Sequence, residues 1–138
     1  MKELSEVLLR YPHVKILVDD IYEHIIFDEE PFVTLTNVEP NLRDRTVIAN
    51  GVSKSYAMTG WRLGAAIGPE KLMKIFAKLG VNDESCTNHF IQYGGIEALQ
   101  GSQDGAKDIL DELKIRRDVL AGKLKQINGC LLYTSPSP

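Results

Sequence analysis

The stretch Asn50-Gly51-Val52-Ser53-Lys54-Ser55-Tyr56-Ala57-Met58-Thr59-Gly60-Trp61-Arg62-Leu63-Gly64 decides the reading of this chain. It follows the apolar run Val47-Ile48-Ala49, whose continuous hydrophobicity is that of a strand covered on both faces. Lys54 therefore lies just past a strand end, among small and hydroxyl residues rather than in a charged, helix-forming neighbourhood. Glycines at 51, 60 and 64 let backbone fold tightly around a ligand. Ser53, Ser55 and Thr59 offer hydroxyls, and Arg62 offers a planar fork suited to a phosphate. A plain strand-to-loop connection with a solvated lysine is the competing reading.

Outward from that stretch, two more runs read as buried strands. Val14-Lys15-Ile16-Leu17-Val18 ends at Asp19-Asp20, and Gly64-Ala65-Ala66-Ile67-Gly68 is stopped by Pro69. Before them, Leu4, Val7 and Leu8 recur at helical spacing, and Pro12 closes that short helix. Residues 23–45 hold Pro31, Pro40 and many acids and read as mostly loop, with room for a short strand at Ile25-Ile26-Phe27. Asp28, Glu29 and Glu30 read as solvated loop.

After the third strand the periodicity becomes helical. Leu72, Ile75, Phe76 and Leu79 share one face, with Gly80 as the stop. A second helix is expected from about Asn88 to Leu99, with Ile91, Gly95, Ala98 and Leu99 inward and Thr87 and Asn88 as candidate caps. A third is expected from about Asp104 to Ile127, with Ile109, Leu113, Leu120, Leu124 and Ile127 on one stripe and Gly101 to Gly105 as a hinge before it. The tail from Leu131 to Pro138 continues no pattern and reads as irregular, non-native sequence.

Composition bounds the function. The chain has 138 residues, 43% hydrophobic and 25% charged, as expected of a soluble globular domain with a real core. A net charge of −3 gives no general electrostatic reason to bind nucleic acid or an acidic membrane. No apolar run approaches the roughly 20 residues of a membrane span. The start, MKELSEVLLRYP, has none of the character of a secretory signal. Cys86 and Cys130 lack metal-ligand spacing and read as reduced thiols of a cytoplasmic protein. His13, His24 and His89 share no metal spacing either, and read as packing or surface residues.

Ligands of open parallel sheets bind beyond the carboxyl ends of the strands. Asp19 and Lys54 each lie at such an end, so parallel strands bring both to one edge of the sheet, where Tyr22 can turn back over them. Asp20 is expected to be the outward neighbour, because strand side chains alternate. Tyr56 and Trp61 fit either a cofactor pocket or a core or dimer interface. A carboxylate, a phenol, an amine, hydroxyls and a guanidinium are the set that pyridoxal phosphate needs. The carboxylate keeps the ring nitrogen protonated, so that the ring withdraws electrons. The phenol bonds the 3-oxygen, the amine forms a Schiff base, and the remaining donors hold the phosphate.

Val18-Asp19-Asp20-Ile21-Tyr22-Glu23-His24, followed by Asn50 to Gly64, resembles the class I/II pyridoxal-phosphate aminotransferases of fold type I. Within them it resembles the bacterial aspartate aminotransferase branch, some of whose members also accept prephenate. The resemblance extends from the start to about Gly129 and includes Gln92 and the Ala98-Leu99 helix. It implies an α/β fold, part of the mostly parallel, three-layer large domain over residues 1–100, then the start of a small domain over 101–129. It implies Lys54 as the catalytic Schiff-base lysine, Asp19 as partner of the pyridine nitrogen, Tyr22 for the ring oxygen, and Ser53 and Arg62 for the phosphate. Amino acid and 2-oxo acid substrates, a homodimer and no metal are implied as well.

The chain departs from the family in what it lacks. Family members carry, before this region, a glycine-containing phosphate turn, a ring-stacking aromatic and an asparagine, and beyond it an arginine that grips the substrate carboxylate. Gly51 stands where some relatives place a further phosphate-binding serine. The expectation is an internal fragment, inactive alone. Two other readings use the same fold: a lyase or acyl-transferring synthase, against which Met58-Thr59-Gly60-Trp61-Arg62 argues, and a non-enzymatic effector domain of a transcription regulator.

Overall fold

The computed structural model describes residues 1–28 and 30–132. The expectations for Glu29 and for the tail beyond Leu132 lie outside the described residues. Three strands, β1 (Ile16–Asp19), β2 (Thr46–Gly51) and β3 (Gly64–Ile67), form one sheet in that order. The helices are α1 (Lys2–Leu9), α2 (Leu35–Val38), α3 (Glu70–Asp83), α4 (His89–Gln100) and α5 (Asp104–Leu124), with 3-10 turns at Pro40–Arg45 and Thr59–Trp61.

β1 and β2 run parallel, with Ile16 opposite Thr46 and Asp19 opposite Ala49. β3 runs antiparallel to β2, pairing Gly51 with Gly64 and Ile48 with Ile67. The sheet is therefore mixed. The connection from Val52 to Leu63 contains no crossover helix, only turns and a short 3-10 segment, so β3 folds back along β2.

The core lies where α1, α2 and the Pro40–Arg45 turn cover the start of β2. Leu42 is fully buried, and Leu35, Val47 and Val52 are nearly so. Thr46 is buried there because its hydroxyl donates to Leu42 O at 2.8 Å. Arg45 closes the unit: its guanidinium donates to the carbonyls of Leu8, Tyr11 and Val14, tying the end of α1 to the entry of β1. An eight-residue helix is marginal alone, so this clamp is a large part of what holds α1 in place.

Several local expectations change. No strand forms at Ile25–Phe27; turns closed by Glu23 N–H to Asp20 O and Ile25 N–H to Tyr22 O take its place. Within 35–45 the chain forms two short helical pieces, α2 and the Pro40–Arg45 turn; the second is capped by Glu39, whose carboxylate accepts from the Asn41 amide beside Pro40. α3 runs through Gly80, because the left-handed residue that ends it is Ser85, at φ 67. α5 stops at Leu124 rather than Ile127.

The helices after the sheet bury little. α3 and α5 have no buried residue and α4 has only Gly95. Leu79, Leu99 and Leu120, expected on inward stripes, are all more than half exposed, as are Val81, Phe90 and Tyr93.

Candidate active site

Asp19 ends β1, and its carboxylate accepts from the Ile21 amide at 3.3 Å. That short-range bond starts the turn that carries Tyr22 back toward β2. Side chains alternate here as expected, but with the opposite outcome: Asp20 is buried at 7% exposure, and Asp19 is exposed. Asp19 shares its face of β1 with Leu17, which is 73% exposed, because no element among the described residues covers that face.

Lys54 lies in a turn directly after β2, closed by Tyr56 N–H to Val52 O and Ala57 N–H to Lys54 O. Its Nζ sits 5.7 Å from the centre of the Tyr22 ring, within cation–π range. The structure thus brings the amine and the phenol-bearing ring together from the ends of two parallel strands. Ile21 approaches the same place: a Cβ on Gly51 would stand 3.9 Å from its Cδ1. That Cβ would also stand 3.0 Å from Leu63 O, so the absence of a side chain at 51 is what lets the two arms of the connection close.

Val52 N–H donates to Leu63 O at 3.4 Å, which places Ser53 and Arg62 one residue further along facing arms of that connection. Arg62 is left-handed, at φ 53, and its guanidinium donates to Thr59 O at 2.9 Å. Ala57 is left-handed too, at φ 52. Two non-glycine residues in this sparsely allowed region flank the amine and the guanidinium, and such strain concentrates at functional sites. The five residues do not share one enclosed chamber. Asp19 borders a groove of about 450 Å³ along β1 with Leu4 and Leu35. Arg62 borders another, of about 570 Å³, with Trp61, Ala77 and Ile91.

The Trp61-Arg62-Leu63 segment is seated on α4 by two glycines that the sequence did not mark as part of the site. A Cβ on Gly94 would stand 2.5 Å from Trp61 Cζ3, and one on Gly95 would collide with Leu63 Cδ2. Tyr56 is the second addition. Its ring lies edge-on to His24 at 6.0 Å, and its hydroxyl donates to Gln103 Oε1 at 2.9 Å. Burial, and then the charge of Glu23, raise the Tyr56 pKa above its usual value.

A sequence model of the aminotransferase class I and II family matches residues 1–138. The chain belongs to this family. It is 47% identical over 128 residues to an aspartate aminotransferase of Rhizobium meliloti, covering 93% of this chain and 31% of that one. It is 41% identical over 135 residues to an aspartate/prephenate aminotransferase of Cereibacter sphaeroides, covering 98% and 33%. The crystal structure of an aspartate aminotransferase from Rhizobium meliloti superposes with a TM-score of 0.86 at 48% identity, over 90% of this chain and 31% of that one. The chain thus spans about a third of the length of the curated relatives it matches. Its α/β fold is that of a part of the fold type I aminotransferases.

The family uses pyridoxal phosphate, and the donor set here fits that group. An exposed carboxylate ends one parallel strand, an amine and an aromatic phenol meet at the end of the next, and Ser53 and Arg62 stand one residue along the two arms of the connection beyond. No helix among the described residues is long and apolar enough to cross a membrane.

Proposed function

We propose that the protein to which this chain contributes transfers an amino group between an amino acid, aspartate or one like it, and a 2-oxo acid, using pyridoxal phosphate. The observation that carries this reading is the meeting of Lys54 and Tyr22 beyond the ends of β1 and β2, in a chain that matches the aminotransferase family throughout. When bound, pyridoxal phosphate supplies a carbonyl for the amine and an electron-poor ring beside the substrate Cα.

The residues of this chain do the rest. Lys54 holds the cofactor through its amine and, once freed by the incoming amino acid, takes the proton from the substrate Cα and gives it back on the other side of the transfer, as general base and then acid. Asp19 holds a proton on the ring nitrogen by its charge. The Tyr22 phenol donates to the ring oxygen. Ser53 and Arg62 bind the phosphate, the guanidinium through charge-assisted bonds. With the 2-oxo acid released and its amino group retained by the cofactor, Lys54 would act in the reverse order, as acid and base, toward a second 2-oxo acid.

Residues 1–100 belong to the cofactor-binding large domain and 101–129 to the small domain in this reading. A homodimer and the rest of the protein cover the apolar faces of α3 and α4. The 138-residue chain alone is expected to show no transamination. Borohydride reduction of the full-length protein with pyridoxal phosphate, followed by peptide mapping, tests the assignment. Label on Lys54 supports it, and label on any other lysine rejects it.

A further inference from the structure

We propose that Tyr56 is a positioning residue, latching the turn that carries Lys54 to the junction between α4 and α5. Tyr56 stands two residues after Lys54, and its own amide closes that turn onto Val52 O at 3.3 Å. Its phenol donates to Gln103 Oε1 at 2.9 Å, across 47 positions of sequence. Gln103 is not a free surface side chain. Its Nε2 donates to Ala98 O and to Gly101 O, each at 3.0 Å, satisfying carbonyls that the end of α4 leaves without helical partners. Its backbone carbonyl accepts from Lys107 N–H in the first turn of α5. One side chain therefore fastens the end of α4, the start of α5 and the Lys54 turn.

The turn needs such a fastening. Ala57, next after Tyr56, sits at φ 52, a conformation that costs an alanine about 1 kcal/mol and persists only where the surroundings impose it. Burial, and then the Glu23 charge, favour the neutral, donating form of the phenol, and the His24 ring lies edge-on beside it. Any rotation of α5 about Gly101 and Ser102 carries Gln103 with it and pulls on Tyr56. The setting of the segment after residue 101 is thereby coupled to the place of the Lys54 amine. The catalytic consequence rests on the role proposed for Lys54; the latch itself does not.

Amide hydrogen exchange on the full-length protein, prepared without cofactor, tests the latch. The variants are Tyr56→Phe, which keeps the ring, Gln103→Ala, and both together. Each single variant is read at the far end. Tyr56→Phe is expected to speed exchange of the Gly101 amide, which donates to Glu97 O at 2.8 Å, and Gln103→Ala that of the Ala57 amide, each about fivefold, as for loss of one ordinary hydrogen bond. The double variant is expected to match Tyr56→Phe at the Ala57 amide and Gln103→Ala at the Gly101 amide, because the bond between the two side chains can be lost only once. In the cofactor-loaded enzyme both single variants are expected to lower kcat by similar factors with KM little changed. Far-end amides that do not move, effects that add in the double variant, or an unchanged kcat beside moved amides would each overturn the proposal. A wild-type protein without turnover would instead defeat the transaminase reading, and the exchange measurement, needing neither cofactor nor substrate, tells the two failures apart.

Discussion

Gly94→Ala is expected to weaken cofactor binding without unfolding the protein. The added Cβ would stand 2.5 Å from Trp61 Cζ3, where carbon atoms in contact prefer about 3.5 Å, so the indole must retreat by about 1 Å. Overpacking of this kind costs about 1–3 kcal/mol, while exchanging a helical glycine for alanine returns about 1 kcal/mol, leaving a net loss of roughly 0–2 kcal/mol. The local effect is larger. Arg62 follows Trp61 directly and is fixed by one bond to Thr59 O at 2.9 Å, which a 1 Å shift, taken as about the size of the retreat, stretches beyond hydrogen-bonding range. Losing one well-placed charged contact to the phosphate is worth about 1.5–3 kcal/mol, or roughly a 10- to 100-fold rise in the Kd for pyridoxal phosphate. Titration of the cofactor-free, full-length protein measures that Kd. Gly105→Ala and Gly122→Ala are the controls, because a Cβ at either meets nothing within 4 Å. They should leave the Kd alone and raise stability by about 0.5–1 kcal/mol. A Gly94→Ala protein that binds pyridoxal phosphate as tightly as wild type would refute the claim that Trp61 seats Arg62.

Arg45→Met should lower the stability of the full-length protein by about 2–4 kcal/mol in urea denaturation, since three guanidinium bonds to carbonyls are lost but two of them are exposed; protection of the α1 amides should fall with it. Asp19→Asn should cut kcat at least about a hundredfold in steady-state assays while leaving the denaturation midpoint nearly unchanged, because the carboxylate is exposed and the role proposed for it is electrostatic. Tyr56 has a raised folded-state pKa, so its contribution is fully present below pH 10.0 and is lost as pH rises through the folded value. Thermal melts above pH 10.0 should show that decline in the wild type and less of it in Tyr56→Phe.

Much of this was legible because the informative residues stand at strand ends. The apolar runs before Asp19 and Lys54 located β1 and β2 to within two residues, and their continuous hydrophobicity was read as that of a parallel sheet, which their pairing bears out. The reversal of β3 was legible in principle. Residues 52–63 are too few, and too poor in helical periodicity, for a crossover to a parallel neighbour. Other features had no local signal. The seating of Trp61 and Leu63 on Gly94 and Gly95 depends on how α4 packs, and the bond from Tyr56 to Gln103 joins residues 47 positions apart. The apolar stripes of α3, α4 and α5 were read as inward faces; Leu79, Leu99 and Leu120 stay more than half exposed, while Gly95 of α4 is buried beneath Leu63. Asp20 was assigned outward by alternation alone, which fixes that neighbours differ but not which of them is covered.

The twin acids that end β1 make its alignment against β2 a chemical matter. A slip of one residue would exchange the faces of Asp19 and Asp20 and still offer a carboxylate, so the error would be invisible in the kind of group presented. It would show only in reach, since the acid would be displaced along the strand by about 3.3 Å relative to Lys54. In the native alignment Asp20 takes the covered face, at 7% exposure, and its amide donates to Ala49 O at 2.9 Å one step past the paired residues. Fidelity at this edge thus rests on which face of β1 is covered, because a main-chain bond re-forms in either alignment and cannot tell them apart.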